Sequence, residues 1–255
     1  MTSKVDFLIN YLLAERNDID DINIPENDYD KFRLYRSLVN IRPAVKADES
    51  FLQAEDEYLQ NLTAGKGITD IADLVPAEDG IYLWKGDITT LKCGAVVNAA
   101  NSGMTGCWQP CHSCIDNCIH TFAGVRLRYV CNEIMQLQGY EEPTGKAKIT
   151  PAYNLPCDYV IHTVGPIVRT RLNDEHCRLL ADSYRSCLEA AVQNGIESIA
   201  FCCISTGVFG FPQKEAGKIA VHTVKEFRKM NDIKVIFNVF KEEDYEIYKK
   251  LLGRN

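Results

Sequence analysis

Between residues 106 and 120 the chain reads Gly-Cys-Trp-Gln-Pro-Cys-His-Ser-Cys-Ile-Asp-Asn-Cys-Ile-His, so Cys107, Cys111, Cys114 and Cys118 share one short segment with His112 and His120. Thiolates and imidazoles are the donors zinc takes in tetrahedral sites; three of them leave a fourth position for water or substrate, and four close the site. The segment offers both arrangements, because Cys111-x-x-Cys114 is itself a permissible pair and Cys118 lies one helical turn beyond. The eleven cysteines, an odd number, read as a metal site plus buried thiols rather than a disulfide framework. Asp116 and Asn117 follow at what should be a helix entry, where both residue types commonly cap.

Three further segments carry binding chemistry. Lys85-Gly86-Asp87-Ile88-Thr89 follows an apolar run, so Asp87 stands at a strand end where it can accept from an amino group or simply turn the chain. Asn98-Ala99-Ala100-Asn101 places two amides three apart, able to bond ribose hydroxyls or to tie down their own loop. Ser205-Thr206-Gly207-Val208-Phe209-Gly210-Phe211-Pro212 can turn successive N–H groups to one side, which cradles a diphosphate without net positive charge. Phe209 and Phe211 either cover a ligand or belong to the core. His162 reads as a core histidine, His176 and His222 as surface positions, and Cys202 and Cys203 as small strand hydrophobes. There is no Gly-x-Ser-x-Gly elbow and no nucleophilic triad.

Holding these loops together requires a scaffold, and the pattern from about Gly80 supplies one. Candidate strands at 80–84, 95–98, 148–153, 159–164, 198–204 and 234–239 alternate with amphipathic helices near 115–136, 179–193 and 214–228, the second ended by Gly195. Such alternation predicts a three-layer α/β domain with a largely parallel sheet, whose ligands sit at the carboxyl ends of the strands. Before it, Phe7, Leu8, Tyr11 and Leu12, then Phe32, Tyr35, Leu38 and Val39, then Leu52, Tyr58, Leu59 and Leu62 recur at helical spacings, with Pro25 and Pro43 bracketing the second set and a polar joint at 18–27. Residues 1–75 are therefore expected to form a close-packed helical extension and 76–255 the catalytic domain.

A formal net charge of −7 over 255 residues argues against a surface that tracks nucleic-acid phosphates. No apolar run approaches the roughly 18 residues a membrane span needs, and the start lacks a basic region leading into a long hydrophobic stretch. A cytoplasmic chain without membrane or nucleic-acid partners is expected.

Taken together, Gly86-Asp87-Ile88, Asn98-Ala99-Ala100-Asn101 and Ser205-Thr206-Gly207-Val208-Phe209-Gly210 resemble the macrodomain family of ADP-ribose binders, a likeness that runs from residue 81 onward. It implies an α/β/α macrodomain with a mixed, largely parallel sheet, in which Asp87 holds the adenine amino group, Ile88 lines the adenine pocket and Asn101 faces the distal ribose. It also sets Ile115, Asp116 and Asn117 against ribose and phosphates, with Ser205, Thr206, Gly207, Val208, Phe209, Gly210 and Phe211 around the diphosphate. Macrodomains usually carry a glycine-rich loop after the second Asn. The Cys/His segment in its place resembles the zinc-containing microbial branch, which implies one zinc on Cys107, His112 and Cys114; the spacing of Cys111 to Cys114 leaves Cys111 open as a substitute ligand. The implied activity is hydrolysis of the ester between ADP-ribose and an Asp or Glu side chain, with the metal as Lewis acid or water activator and with Asn101 and Asp116 as catalytic candidates. The implied partners are a lipoyl-carrier protein resembling the glycine-cleavage H protein and a sirtuin-type transferase, the chain itself acting as a monomer. A non-catalytic ADP-ribose reader with a structural zinc is the alternative.

Overall fold

The computed structural model describes residues 3–16 and 22–253, so part of the polar joint expected at 18–27 lies outside the described residues. Three helices open the chain: α1 (Lys4–Ala14), α2 (Asp28–Ile41) and α3 (Glu49–Lys66). Ser3 and Asn27 start the first two by accepting the N–H groups of Asp6 at 3.3 Å and Asp30 at 2.9 Å. Their apolar faces meet in one cluster that includes Leu8, Leu12, Tyr35, Leu38, Phe51 and Leu59, joined by Val125 from beyond the extension. Phe7, which the spacing assigns to this face, is 39% exposed, and Val5 and Ile9 are buried in its stead.

The strands are β1 (Thr69–Asp70), β2 (Ile81–Lys85), β3 (Leu91–Lys92), β4 (Ala95–Ala99), β5 (Ala147–Pro151), β6 (Tyr159–Thr163), β7 (Ser198–Phe201) and β8 (Lys234–Val239). Six of them form one sheet in the order β2-β8-β7-β4-β6-β5, parallel except for β5, and β1 pairs with β3 separately. Every residue of β7 is buried, as is β8 after its first, which is the mark of strands covered on both faces. The remaining helices are α4 (Ile115–Ala123), α5 (Val125–Gln138), α6 (Asp174–Gln193), α7 (Gln213–Arg228) and α8 (Glu242–Leu251). The β6–α6–β7 and β7–α7–β8 crossovers run the same way across the sheet, which sets α6 and α7 on one face. There α8 packs on α7, β2 and β8; α4 and α5 cover the other face, and α2 and α3 pack outside α4.

Three expectations need correction. The single helix expected at 115–136 is two, broken at Gly124 with φ +92°. The strand expected at 198–204 ends at Phe201, which leaves Cys202 and Cys203 in the following loop. Helix α8 went unread, although an acidic first turn (Glu242, Glu243, Asp244) and a basic last turn (Lys249, Lys250) announce it.

The break at Gly124 has a cause in the extension. Glu55 of α3 is fully buried, accepts the Tyr35 hydroxyl at 2.6 Å and accepts the Val125 N–H at 3.0 Å, so it caps α5 from outside. A Cβ at Gly124 would stand 2.6 Å from that carboxylate. Burial pushes the Glu55 carboxyl from an ordinary 4.5 up to about 7, against the pull of those two hydrogen bonds. The folded chain thus holds this proton more tightly than the unfolded one. The resulting stability is fully present below pH 4.5 and lost as pH rises through about 7, a change on the order of 3 kcal/mol. Thermal unfolding of wild type should fall between pH 5 and pH 8. Glu55→Gln, which can still accept from Val125, should flatten that slope.

Candidate active site and metal centre

Because five strands run parallel, the loops after β2, β4, β7 and β8 emerge on one edge of the sheet. At one end of it, Asp87 accepts the Thr89 N–H at 3.0 Å and hydroxyl at 2.7 Å, and pairs with Lys66 of α3 at 2.9 Å. Burial pushes the Asp87 carboxyl up, but the bonds from Lys66 and Thr89 outweigh it and hold the group below its ordinary value. Ile88 is buried beside it. Lys85 is in register with Val239, so the next residue of β8's exit, Phe240, lies level with Gly86, with 78% of its surface exposed. Sequence reading missed Phe240; a lone aromatic directly after an apolar strand was the available signal.

The Sγ atoms of Cys107 and Cys114 and a ring nitrogen of His112 all lie within 4.8 Å of one another, with Cys107 Sγ and His112 Nδ1 3.6 Å apart. Zn–S of about 2.3 Å and Zn–N of about 2.0 Å put neighbouring donors of a tetrahedron roughly 3.5–3.8 Å apart, so this trio fits zinc. Burial and the neighbouring Cys107 thiol hold the Cys114 thiol above its ordinary value, and a dication between them would reverse that. Cys111 and Cys118 do not join the trio: Cys111 donates to the Arg33 carbonyl at 3.3 Å, and Cys118 receives Arg36 Nη2 at 3.5 Å. The protein therefore offers three donors, the arrangement that leaves a position open.

Cys114 is also the N-cap of α4, its Sγ accepting the Asn117 N–H at 3.4 Å, so the capping role considered for Asp116 and Asn117 falls to a thiol. Asp116 is 5% exposed; its Oδ1 accepts from Asn98 at 2.8 Å and its Oδ2 from Asn101 at 3.2 Å. Burial pushes the Asp116 carboxyl up to about 6, opposed by the Asn98 bond, the Arg128 charge and the Asn101 bond. Asn101 also donates to the Gly106 carbonyl and accepts the Gly103 N–H, so it ties the loop and touches Asp116 at once. The Asn117 side chain is buried and faces α2, bonded to Arg36 and Asn40, while Ile115 is half-buried at the first turn.

Beneath Asp116, His120 Nε2 is 3.6 Å from Oδ1, yet burial pushes the ring well below its ordinary value and keeps it neutral, so this is no ion pair. His120, Cys131 and His162 also lie within 4.8 Å of one another. Since Asn98 Nδ2 uses its two hydrogens on Asp116 and on His162 Nδ1 at 3.1 Å, His162 carries its proton on Nε2, which bonds Thr150 at 2.9 Å and has no lone pair for a cation. His162 is the core histidine the sequence suggested.

On the far side, Ser205 holds φ +66° and its buried hydroxyl has no protein partner among the described residues. The loop closes by Gly210 N–H to Gly207 O and Phe211 N–H to Ser205 O, both 3.0 Å. The N–H groups of Gly207, Val208 and Phe209 bond nothing among the described residues. Gly207, Val208 and Gly210 are exposed, Thr206 and Phe209 half-buried, and Phe211 is part of the core. Three free N–H groups and an orphaned hydroxyl make a receptor for an anion.

The sequence matches the Macro domain family over residues 97–220. A protein-ADP-ribose hydrolase of Treponema medium is 57% identical over 97% of both chains, and one of Staphylococcus aureus is 48% identical over 99% of this chain and 96% of its own. Among solved structures, the Oceanobacillus iheyensis macrodomain with ADP is 39% identical over 68% of this chain and 89% of its own, with TM-score 0.62. The Trypanosoma brucei macrodomain in complex with ADP-ribose is 27% identical, covers 90% of this chain and 97% of its own, and has TM-score 0.66.

Proposed function

This chain belongs to the macrodomain family, and on that footing we propose that it hydrolyses the ester joining ADP-ribose to an Asp or Glu side chain of a modified protein, with a zinc ion held by Cys107, His112 and Cys114. The observation that carries this reading is the placement of that trio at the entry of α4, directly before Asp116, on the strand edge that also holds the free N–H groups of the 205–211 loop. The whole-length likeness to chains named protein-ADP-ribose hydrolase supports it.

Each part of the edge suits a part of the ligand. Phe240 stacks on the adenine, and Asp87 Oδ2 accepts its amino group while sharing Lys66. The Ser205 hydroxyl and the Gly207, Val208 and Phe209 N–H groups bind the diphosphate together with the first turn of α4. Asn101 and Asp116 then meet the distal ribose, and this remote binding keeps the ester in register with them. Zinc, when bound, supplies Lewis acidity beside the ester. Asp116 Oδ2, oriented by Asn98 and Asn101, accepts the proton of the attacking water. The proposed protein substrate, carried by the resemblance, is a lipoyl-carrier protein modified by a sirtuin-type transferase.

The test is incubation with proteins carrying ADP-ribose on Asp or Glu and, separately, on Arg. Release from the first alone is expected; binding of ADP-ribose without any release would make the chain a reader. Phe240→Ala should weaken ADP-ribose binding about tenfold, the loss of one base–aromatic stack, with zinc content unchanged. Calorimetric titration with ADP-ribose checks this.

A further inference from the structure

The backbone of the 101–114 loop bonds little to itself, and the side chain of Asn101 ties only its first half, at the Gly103 N–H and the Gly106 carbonyl. Its internal backbone bonds are Met104 N–H to Asn101 O and His112 N–H to Gln109 O, while Met104 (φ 60°), Cys111 (φ 54°) and Gly106 (φ 81°) all hold left-handed conformations. For the two residues with side chains such conformations cost about 1–3 kcal/mol each and persist only when the surroundings impose them. The surroundings here are largely α2. Arg33, Arg36 and Asn40 fall three and four apart, hence on one face of that helix.

From that face Arg36 Nη2 donates to the His112 carbonyl at 2.7 Å, and Nε and Nη2 both reach Asn117 Oδ1, at 3.1 and 2.8 Å. Asn40 Oδ1 accepts the Cys111 N–H at 2.9 Å and Asn117 Nδ2 at 3.0 Å, and its Nδ2 donates to Thr121 at 3.0 Å. From α5, Arg128 joins the end of α2 (carbonyls of Val39, Asn40 and Arg42) to the loop (carbonyls of Thr105 and Cys107) and lies 4.2 Å from the Trp108 ring centroid. The backbones of Cys107 and His112 are thus fixed from outside, and Cys114 is fixed as the N-cap of α4, its Sγ accepting the Asn117 N–H.

We infer that α2 is the outer wall of the metal centre: Arg36 and Asn40 are positioning residues that hold the 107–114 loop in the shape that brings its three donors together, so zinc retention depends on them. The inference rests on reading Cys107, His112 and Cys114 as zinc ligands. Arg36 is suited to the task because its planar fork sets Nε and Nη2 on the Asn117 amide oxygen while Nη2 also holds the His112 carbonyl, a fixed spacing of donors that the point-like ammonium of lysine lacks.

The test is zinc transfer from the loaded full chain to a chelator, followed for wild type, Arg36→Ala, Arg36→Lys and Asn40→Ala, with thermal unfolding of each metal-stripped chain in parallel. Wild type is expected to hold one zinc, Arg36→Ala to bind it 10- to 100-fold more weakly, and Arg36→Lys to fall between, while the metal-stripped Arg36 variants unfold near wild type. Asn40→Ala leaves buried donors unpaired and can lose the fold itself, so the Arg36 pair carries the decision. Asp56→Asn, which breaks the Arg126 pair between α3 and α5 away from the loop, should leave zinc affinity unchanged. Wild-type zinc affinity in Arg36→Ala overturns the inference while the metal centre stands; a wild-type chain that binds no zinc overturns both.

Discussion

Alanine at Cys107, His112 or Cys114 is expected to leave the chain folded, free of zinc and slower in releasing ADP-ribose by roughly three orders of magnitude, the equivalent of several kcal/mol of lost charge stabilisation. The fold should survive because Arg36, Asn40 and Arg128 hold the loop through backbone carbonyls and an N–H that these substitutions leave in place. Cys111→Ala and Cys118→Ala are the matched controls. Their thiols face the Arg33 carbonyl and the Arg36 guanidinium, so both variants should keep the metal and most of the activity. Zinc content measured beside turnover decides the matter: metal-free variants that still cleave at the wild-type rate would reduce zinc to a brace.

Asp116→Asn is expected to lower turnover by about two to four orders of magnitude at saturating substrate, with zinc and ADP-ribose still bound. Asparagine keeps an oxygen for the Asn98 bond at 2.8 Å and gives up the longer Asn101 bond at 3.2 Å together with the proton acceptor. The contrast with the ligand variants is the informative part. They should lose metal and rate together, whereas Asp116→Asn should lose rate alone, and single-turnover measurements on zinc-loaded protein separate the two. A wild-type rate in Asp116→Asn would move the base elsewhere, with His120 Nε2, 3.6 Å from the carboxylate, the nearest alternative.

Much of this site was legible because its parts sit at the ends of strands whose apolar runs are unambiguous. Asp87, Asn101 and the 205–211 loop each follow such a run, and parallel pairing brings them to one edge. The donor trio was legible from cysteine crowding together with the family resemblance. What was not legible depended on contacts between distant parts of the chain. Gly124 marks a point where the helix can break, but nothing local says that it does, since the Val125 N–H beyond it is capped by a carboxylate on α3. Likewise Arg33, Arg36 and Asn40 read as the polar face of a surface helix until the loop they serve is laid against them. Phe240 was passed over because a lone aromatic after an apolar strand is a weak signal until the pairing of β2 with β8 brings it to the Gly86 turn.

The donors are neighbours in sequence, but the helix that shapes them is not: 81 positions separate Arg36 from Asn117. Closing a loop of a few residues costs little entropy, whereas contacts of long sequence separation form late in folding. An unfolded or half-folded chain can therefore gather zinc from any of four thiols before α2 has docked. In the folded chain Cys111 instead donates to the Arg33 carbonyl and Cys118 receives Arg36, so docking of α2 is expected to narrow the choice to three donors. Zinc supplied from the first moment of refolding is therefore expected to trap some misligated chains, and zinc supplied after collapse to load more of them on Cys107, His112 and Cys114. On the zinc reading proposed above, the order of metal addition as well as its amount is expected to set the yield of active enzyme, which turnover after refolding with early or late zinc measures.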